Sequence, residues 1–207
     1  MTSSEPLKAR PAGLGRGLSA ALIALGVIGA AAVLYVIVVA VAKPGASAGL
    51  AGLASGTMAH LQVIEPATPA TDVSFTDAIG KTVHLAGFKG RPLLVNLWAT
   101  WCPPCVREMG TLAALQRAEG GKVEVVAISV DSDTDTAKAK AFLAGYPPLV
   151  FHQDAKYAFL ADFDPHPMGF PTTYLIDRHG QLRGVYAGEA DWNSPQAKAV
   201  ADRLAGL

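Results

Sequence analysis

Apolar residues fall into runs of very different length along the chain. From Gly17 to Ala42 there is no charged residue at all. A helix over this stretch spans about 39 Å at ~1.5 Å per residue. The hydrocarbon core of a bilayer is ~30 Å thick, so such a helix crosses it with tilt to spare. From Pro44 to about Thr71, Ala, Gly, Ser, Thr and Pro dominate, with Pro66 and Pro69 among them. That composition predicts a flexible tether rather than a packed element. Inside it, Leu50 to Ile64 is amphipathic enough for a short helix.

Beyond residue 72 the apolar runs become short and regular. Val73–Phe75 and Thr82–Leu85 read as strands around the turn Ile79-Gly80-Lys81. Pro92–Trp98 reads as a buried central strand, and Val123–Val130, nearly continuous in apolar residues, as another. Val106, Met109, Leu112 and Leu115 share roughly one helical face. They predict a helix over 107–118, closed by Gly120-Gly121. Helices over 136–144 and 155–163 alternate with strands over 149–152 and 172–177. The turn Arg178-His179-Gly180-Gln181 leads into a strand over 182–186. Asn193 or Ser194 caps a last helix, with Pro195 near its first position. Alternating strands and helices that finish in a hairpin and a helix predict a mixed α/β sheet. The expected organisation is a tail over 1–16, a membrane helix over 17–42, a flexible linker over 43–71 and one domain over 72–207.

Composition supports that division. The 207 residues carry 17 basic and 17 acidic side chains, and only 16% are charged. So low a charge content points to a segment in lipid. Residues 44–207 hold 13 Lys and Arg against 16 Asp and Glu. Nothing in this balance suggests a nucleic-acid partner. Lys8, Arg10 and Arg16 precede the apolar stretch, while only Lys43 follows closely. The positive-inside rule then leaves the N-terminus in the cytoplasm and the domain outside it. A cleaved signal peptide is the alternative, with Ala40-Val41-Ala42 as a small-x-small site. Its apolar region would usually run about 7–15 residues, which is shorter than the stretch found.

The chemistry lies in Cys102-Pro103-Pro104-Cys105, which holds the only two cysteines. They follow a strand and open a helix, a redox geometry. Unpaired N–H groups and the positive end of the helix dipole face the first sulfur. This favours the nucleophilic thiolate, and in thioredoxin-type sites lowers the pKa from about 8.5 to ~7 or below. Pro103 and Pro104 suit the first helical turn, where a missing N–H matters little. A purely structural disulfide would constrain the unfolded chain little over so short a loop. Half a zinc site would lack a second cysteine pair and a nearby histidine.

Trp98-Ala-Thr-Trp-Cys-Pro-Pro-Cys followed by Arg107-Glu108-Met109 resembles the membrane-anchored TlpA/ResA/CcmG branch of the thioredoxin superfamily. Gly80-Lys81-Thr82-Val83-His84-Leu85, Phe88-Lys89-Gly90-Arg91, Gly169-Phe170-Pro171-Thr172-Thr173 and Gly188-Glu189-Ala190-Asp191-Trp192 resemble other parts of it. The likeness covers roughly residues 72–207. It implies a thioredoxin-like fold and a thiol:disulfide oxidoreductase, single-pass in the bacterial inner membrane with its domain in the periplasm. Cys102 would attack a client disulfide and Cys105 would resolve the mixed disulfide, the two forming the redox disulfide. Pro171 would be the family's cis-proline, exposing the Phe170 backbone to an extended client segment. Trp101, Pro103, Pro104, Phe170 and Pro171 would form the client-binding surface. Glu108 would lie near the active site and relay a proton to or from Cys105; the alternative is a solvated glutamate favoured by the helix N-terminus. The resemblance implies no cofactor and no metal. Its partners would be a membrane-bound electron donor and a disulfide-bearing client: a copper chaperone, an oxidase subunit or apocytochrome c. Two positions depart from pattern. Asn96 stands where thioredoxins carry a buried aspartate, and an amide cannot accept that proton. Gly110 stands where a helix-kinking proline is usual.

Other clusters carry less. Asp131-x-Asp133-x-Asp135 imitates the start of an EF-hand, but Thr136 replaces the required Gly and Phe142 the required Glu. A strand end and helix cap are expected there instead. Asp162, Asp164, His166 and Met168 could join the cysteines around Cu(I), since soft ligands suit it, or form a polar loop rimming the site. A copper-carrying metallochaperone is therefore the second function considered, although copper carriers of this fold have Cys-x-x-x-Cys and a distant His. A peroxidase would need Thr-x-x-Cys, whereas Thr100 lies two residues before Cys102. No histidine separates the cysteines, so the thiolate should be only moderately stabilised. The protein should then be a reductant, nearer thioredoxin at about −270 mV than DsbA at about −120 mV.

Overall fold

The computed structural model describes residues 49–207, together with Gly26, Gly29 and residues 31–35. The chain divides into two units, Met1–Ala46 and Ser47–Leu207. In the first, the described residues are helical, and Val33, Leu34 and Tyr35 are exposed. Among the described residues no helix is long and apolar enough to cross a membrane. The expected tail over 1–16 and most of the expected span over 17–42 lie outside them.

The second unit contains eight strands: β1 (Leu61–Pro69), β2 (Ser74–Asp77), β3 (Thr82–His84), β4 (Leu93–Trp98), β5 (Glu124–Ser129), β6 (Phe151–Gln153), β7 (Thr172–Ile176) and β8 (Gln181–Ala187). Its helices are α1 (Pro103–Glu119), α2 (Thr136–Leu143), α3 (Ala158–Ala161) and α4 (Pro195–Ala205). The strands form one mixed sheet in the order β1-β8-β7-β4-β5-β6-β2-β3. β4 runs parallel to β5 and antiparallel to β7. With a neighbour on each side and helices over both faces, β4 is buried along its whole length, and Asn96 is its one polar residue. Its alternation sorts two cores. Leu94 and Trp98 join Met109, Leu112 and Leu115 of α1 and Val200 and Leu204 of α4. Leu93, Val95 and Leu97 pack with Phe159, Phe163 and Tyr174 on the other face. This is the thioredoxin-like α/β arrangement expected from the sequence.

The expected linker over 43–71 needs correction. Residues 43–48 lie outside the described residues, but from Gly49 onward the segment is part of the fold. Two 3-10 turns, Ala51–Leu53 and Gly56–Met58, stand in place of the expected short helix. β1 then pairs antiparallel with β8, Leu61 opposite Tyr186. Leu50, Met58 and Leu61 are buried in the same core as α1 and α4. Pro66 and Pro69 are compatible with this because β1 is an edge strand, where a missing N–H can face solvent. The register slips between Val63 and Thr68, the stretch that contains Pro66.

Other boundaries moved for local reasons. α1 begins at Pro103, four residues before the expected start, and runs unbroken through Gly110. The expected helix over 155–163 shrinks to Ala158–Ala161. Tyr157 takes a left-handed conformation (φ 56°), and the Asp154 carboxylate accepts the N–H groups of Ala158 and Phe159 at 2.8 and 2.9 Å. Ser194, not Asn193, caps α4, accepting the Ala197 N–H at 3.2 Å.

Candidate active site

β4 ends at Trp98, and the chain turns sharply into α1. The Cys102 N–H donates to Ala99 O at 3.2 Å. Cys102 is the N-cap of α1, extended at φ −101°, ψ 100°. Its sulfur accepts the Cys105 N–H at 3.4 Å, so the helix end does point a donor at Sγ. Cys102 and Cys105 are joined in a disulfide, with Cα atoms 5.3 Å apart. Cys102 keeps 4% of its surface exposed and Cys105 none. Around them, Trp101 and Pro103 are exposed and Pro104 is half-buried.

The Pro171 loop reaches this turn through sheet register. Leu97 pairs with Thr172 across β4 and β7, which sets Pro171 level with the end of β4. The Phe170–Pro171 bond is cis. Gly188 N–H donates to Pro171 O at 2.9 Å, and Thr172 Oγ1 donates to Gly169 O at 2.7 Å. The rings of Trp101 and Phe170 meet edge-on, centroids 5.9 Å apart. Two distant segments thus form one apolar rim beside Cys102. Met168, almost fully exposed, lies two residues from Phe170.

Glu108 sits one turn beyond Cys105, on the same face of α1. It is not a solvated surface glutamate: its exposure is 1%. Oε1 accepts from Asn96 Nδ2 at 2.8 Å. Oε2 accepts from Ala190 N–H at 3.0 Å and Trp192 Nε1 at 3.2 Å. Burial raises the carboxyl pKa from 4.5 to about 7, although these hydrogen bonds oppose the rise. Asn96 Nδ2 also donates to Thr173 Oγ1 at 2.9 Å, while its Oδ1 is buried with no partner. The polar network therefore runs from the strand after Pro171, across β4, to α1 and the 188–192 loop. Beside Glu108 an open polar cleft is lined by Arg107, Thr111, Glu189, Ala190 and Asp191. Arg107 Nε donates to both oxygens of Glu189 at 3.1 and 3.0 Å across its mouth.

Asp162, Asp164, His166 and Met168 form an exposed loop. Among the described residues no three His, Cys, Asp or Glu come together to hold a metal ion. The Asp131 side chain caps no helix; it binds Thr100, a role the sequence did not reveal. Trp192, Ala190 and Thr111 were also missed as partners of Glu108. Gly188–Trp192 stood out only as a block of resemblance, with no sign of what it touches.

A disulfide at a helix N-terminus, beside a cis-proline on the neighbouring strand, defines a thioredoxin-fold redox centre. A family model described as Redoxin matches residues 65–202. The chain is 32% identical over 131 residues to the thioredoxin-like protein YneN of Bacillus subtilis, covering 60% of this chain and 73% of YneN. It is 31% identical over 124 residues to the thiol-disulfide oxidoreductase ResA of Geobacillus kaustophilus, covering 58% and 67%. A crystal structure of a thiol:disulfide interchange protein of the thioredoxin family from Chlorobium tepidum matches with a TM-score of 0.55 at 26% identity, over 69% of this chain and 99% of that one. The chain belongs to the Redoxin family, in its TlpA/ResA/CcmG-like branch, and is a thiol–disulfide oxidoreductase.

Proposed function

We propose that this protein is a membrane-anchored reductase of disulfides in client proteins, working on the periplasmic side of a bacterial inner membrane. The observation that carries the chemistry is the pairing of a helix-capping Cys102 sulfur with a buried Glu108 one turn beyond Cys105. In the reduced protein the Cys102 thiolate attacks one sulfur of the client disulfide. A Cys102–client bond forms, and the other client sulfur leaves as a thiolate and takes a proton. Cys105 then gives its proton to Glu108 and attacks Cys102 Sγ. The Cys102–Cys105 bond forms, the mixed disulfide breaks, and the client leaves with both sulfurs reduced. Two electrons have moved to the client. Glu108, poised near neutral pH, releases its proton to water through the cleft beside it.

The oxidised pair must be re-reduced by a dithiol donor, since the periplasm is kept oxidising. The uncharged stretch over 17–42 and the basic residues before it support the anchor and its orientation. The absence of histidine between the cysteines supports the reducing direction. Membership of the TlpA/ResA/CcmG-like branch supports clients in oxidase copper-site assembly or cytochrome c maturation. The Trp101–Phe170 rim supplies the apolar surface and Phe170 the backbone for an extended client segment.

Equilibration of the full-length protein with glutathione tests the direction. A midpoint close to −270 mV is expected; one above about −150 mV would group it with oxidants such as DsbA and overturn the reductase reading. Trapping with Cys105→Ser in cells should capture the client as a mixed disulfide through Cys102.

A further inference from the structure

Asp131 leaves β5 at the level where β4 hands over to the active-site turn. Trp98 pairs with Ser129, and Val130 N–H donates to Trp98 O at 2.8 Å. The Asp131 side chain is fully buried. A buried carboxylate persists only where donors satisfy it, and here every donor comes from two residues. Thr100 N–H reaches both oxygens, at 3.2 and 3.0 Å. Thr100 Oγ1 donates to Oδ1 at 2.7 Å. Ser129 Oγ donates to Oδ2 at 2.8 Å and itself accepts the Asp131 N–H at 3.1 Å. Gln153 Nε2 fixes the Asp131 carbonyl at 3.0 Å. The carboxylate is thus anchored to its own strand end and grips one thing beyond it. That is Thr100, two residues before Cys102.

We propose that Asp131 is a positioning residue of the redox centre. It acts in two ways. By holding both the amide and the hydroxyl of Thr100, it fixes the turn that sets Cys102 Sγ against the Cys105 N–H. As a buried negative charge beside that turn, it disfavours the Cys102 thiolate. A less stabilised thiolate makes the reduced form less stable and the Cys102–Cys105 disulfide harder to reduce. Asp131 therefore biases the centre towards giving electrons. This rests on Cys102 being the attacking thiol, and on nothing about Glu108, the membrane or the client.

The test compares full-length Asp131→Asn with Asp133→Asn, which removes the same charge from an exposed neighbour. Asparagine keeps an acceptor for Thr100, and Ser129 Oγ can turn to accept from its amide. The Asp131→Asn disulfide should be roughly three- to tenfold easier to reduce by glutathione, tenfold being about 30 mV. Cys102 should also alkylate several-fold faster at neutral pH, with Asp133→Asn unchanged in both. If Asp131→Asn lowers only the melting temperature, or if Asp133→Asn shifts both readouts equally, the proposal is overturned. If Asp131→Asn does not fold, Thr100→Val decides: it deletes the hydroxyl bond and leaves the charge. A change of at least twofold in Cys102 alkylation sustains the positioning role, and an unchanged rate removes it.

Discussion

Asn96 on β4 and Glu108 on α1 meet inside the protein, amide nitrogen to carboxylate oxygen at 2.8 Å, with neither side chain more than 1% exposed. An aspartate at 96 would set two carboxylates against each other and force one to stay protonated. The amide donates to Glu108 when it is ionised. Turned over, it would offer Oδ1 to a protonated Glu108 instead. Either way the proton site is Glu108 alone.

This gives stability a pH signature. Glu108 releases its proton near 4.5 in the unfolded chain and near 7 in the folded protein. Between those values the folded state holds a proton that the unfolded state has lost. Stability therefore falls as pH rises through this window, by about 3 kcal/mol in total. Glu108→Gln cannot ionise and should not show the loss. Urea unfolding from pH 4 to pH 8 should find its advantage over the wild type growing by about 2–3 kcal/mol. The same variant should slow resolution of a mixed disulfide by roughly 10²-fold. A pH-independent difference in stability would show that Glu108 does not carry the shift.

The two thiols should differ in reactivity. Cys102 is slightly exposed and capped by a helix N–H, whereas Cys105 is fully buried. Iodoacetamide should label Cys102 in the reduced protein well below pH 8 and leave Cys105 intact, as read by peptide mass spectrometry. Labelling of Cys105 first would reverse the attacking and resolving roles.

The segment before residue 66 should matter for folding. Leu50→Ala and Met58→Ala each empty a fully buried position and should destabilise by about 2–4 kcal/mol in urea. A chain begun at Pro66 loses Leu61 and half of β1, and leaves the edge of β8 unpaired. It should unfold far more easily and aggregate. Unchanged stability of that shortened chain would make the docking of 49–65 incidental.

The sequence disclosed what depends on residue type and local period. β4 and α1 were legible because an apolar run and a shared helical face each leave a pattern within a few residues. The cysteine pair, Pro171 and Glu108 were legible as types in a motif. What stayed hidden depends on register and distance along the chain. β1 looked like a linker because its half-buried pattern is diluted by Ala, Thr and two prolines, and the resemblance begins only near residue 72. The burial of Glu108 comes from Ala190 and Trp192, 82 and 84 residues away. The run from Asp131 to Asp135 reads as a strand end and helix cap, and only the pairing of β4 with β5 brings Asp131 to Thr100.

In the proposed reaction the Cys102 sulfur is the attacking atom, and in the structure it is also the cap of α1. Linkage makes these two jobs one quantity. Whatever free energy the helix end lends the thiolate, the thiolate returns to the helix end. A thiolate accepts a hydrogen bond more strongly than a disulfide sulfur does. The first turn of α1 should therefore fasten when the protein is reduced and loosen when it is oxidised. Amide exchange at Cys105 becomes a gauge of redox state that needs no redox reagent. Each turnover is then also a change in local rigidity, at the place where a client must dock and leave.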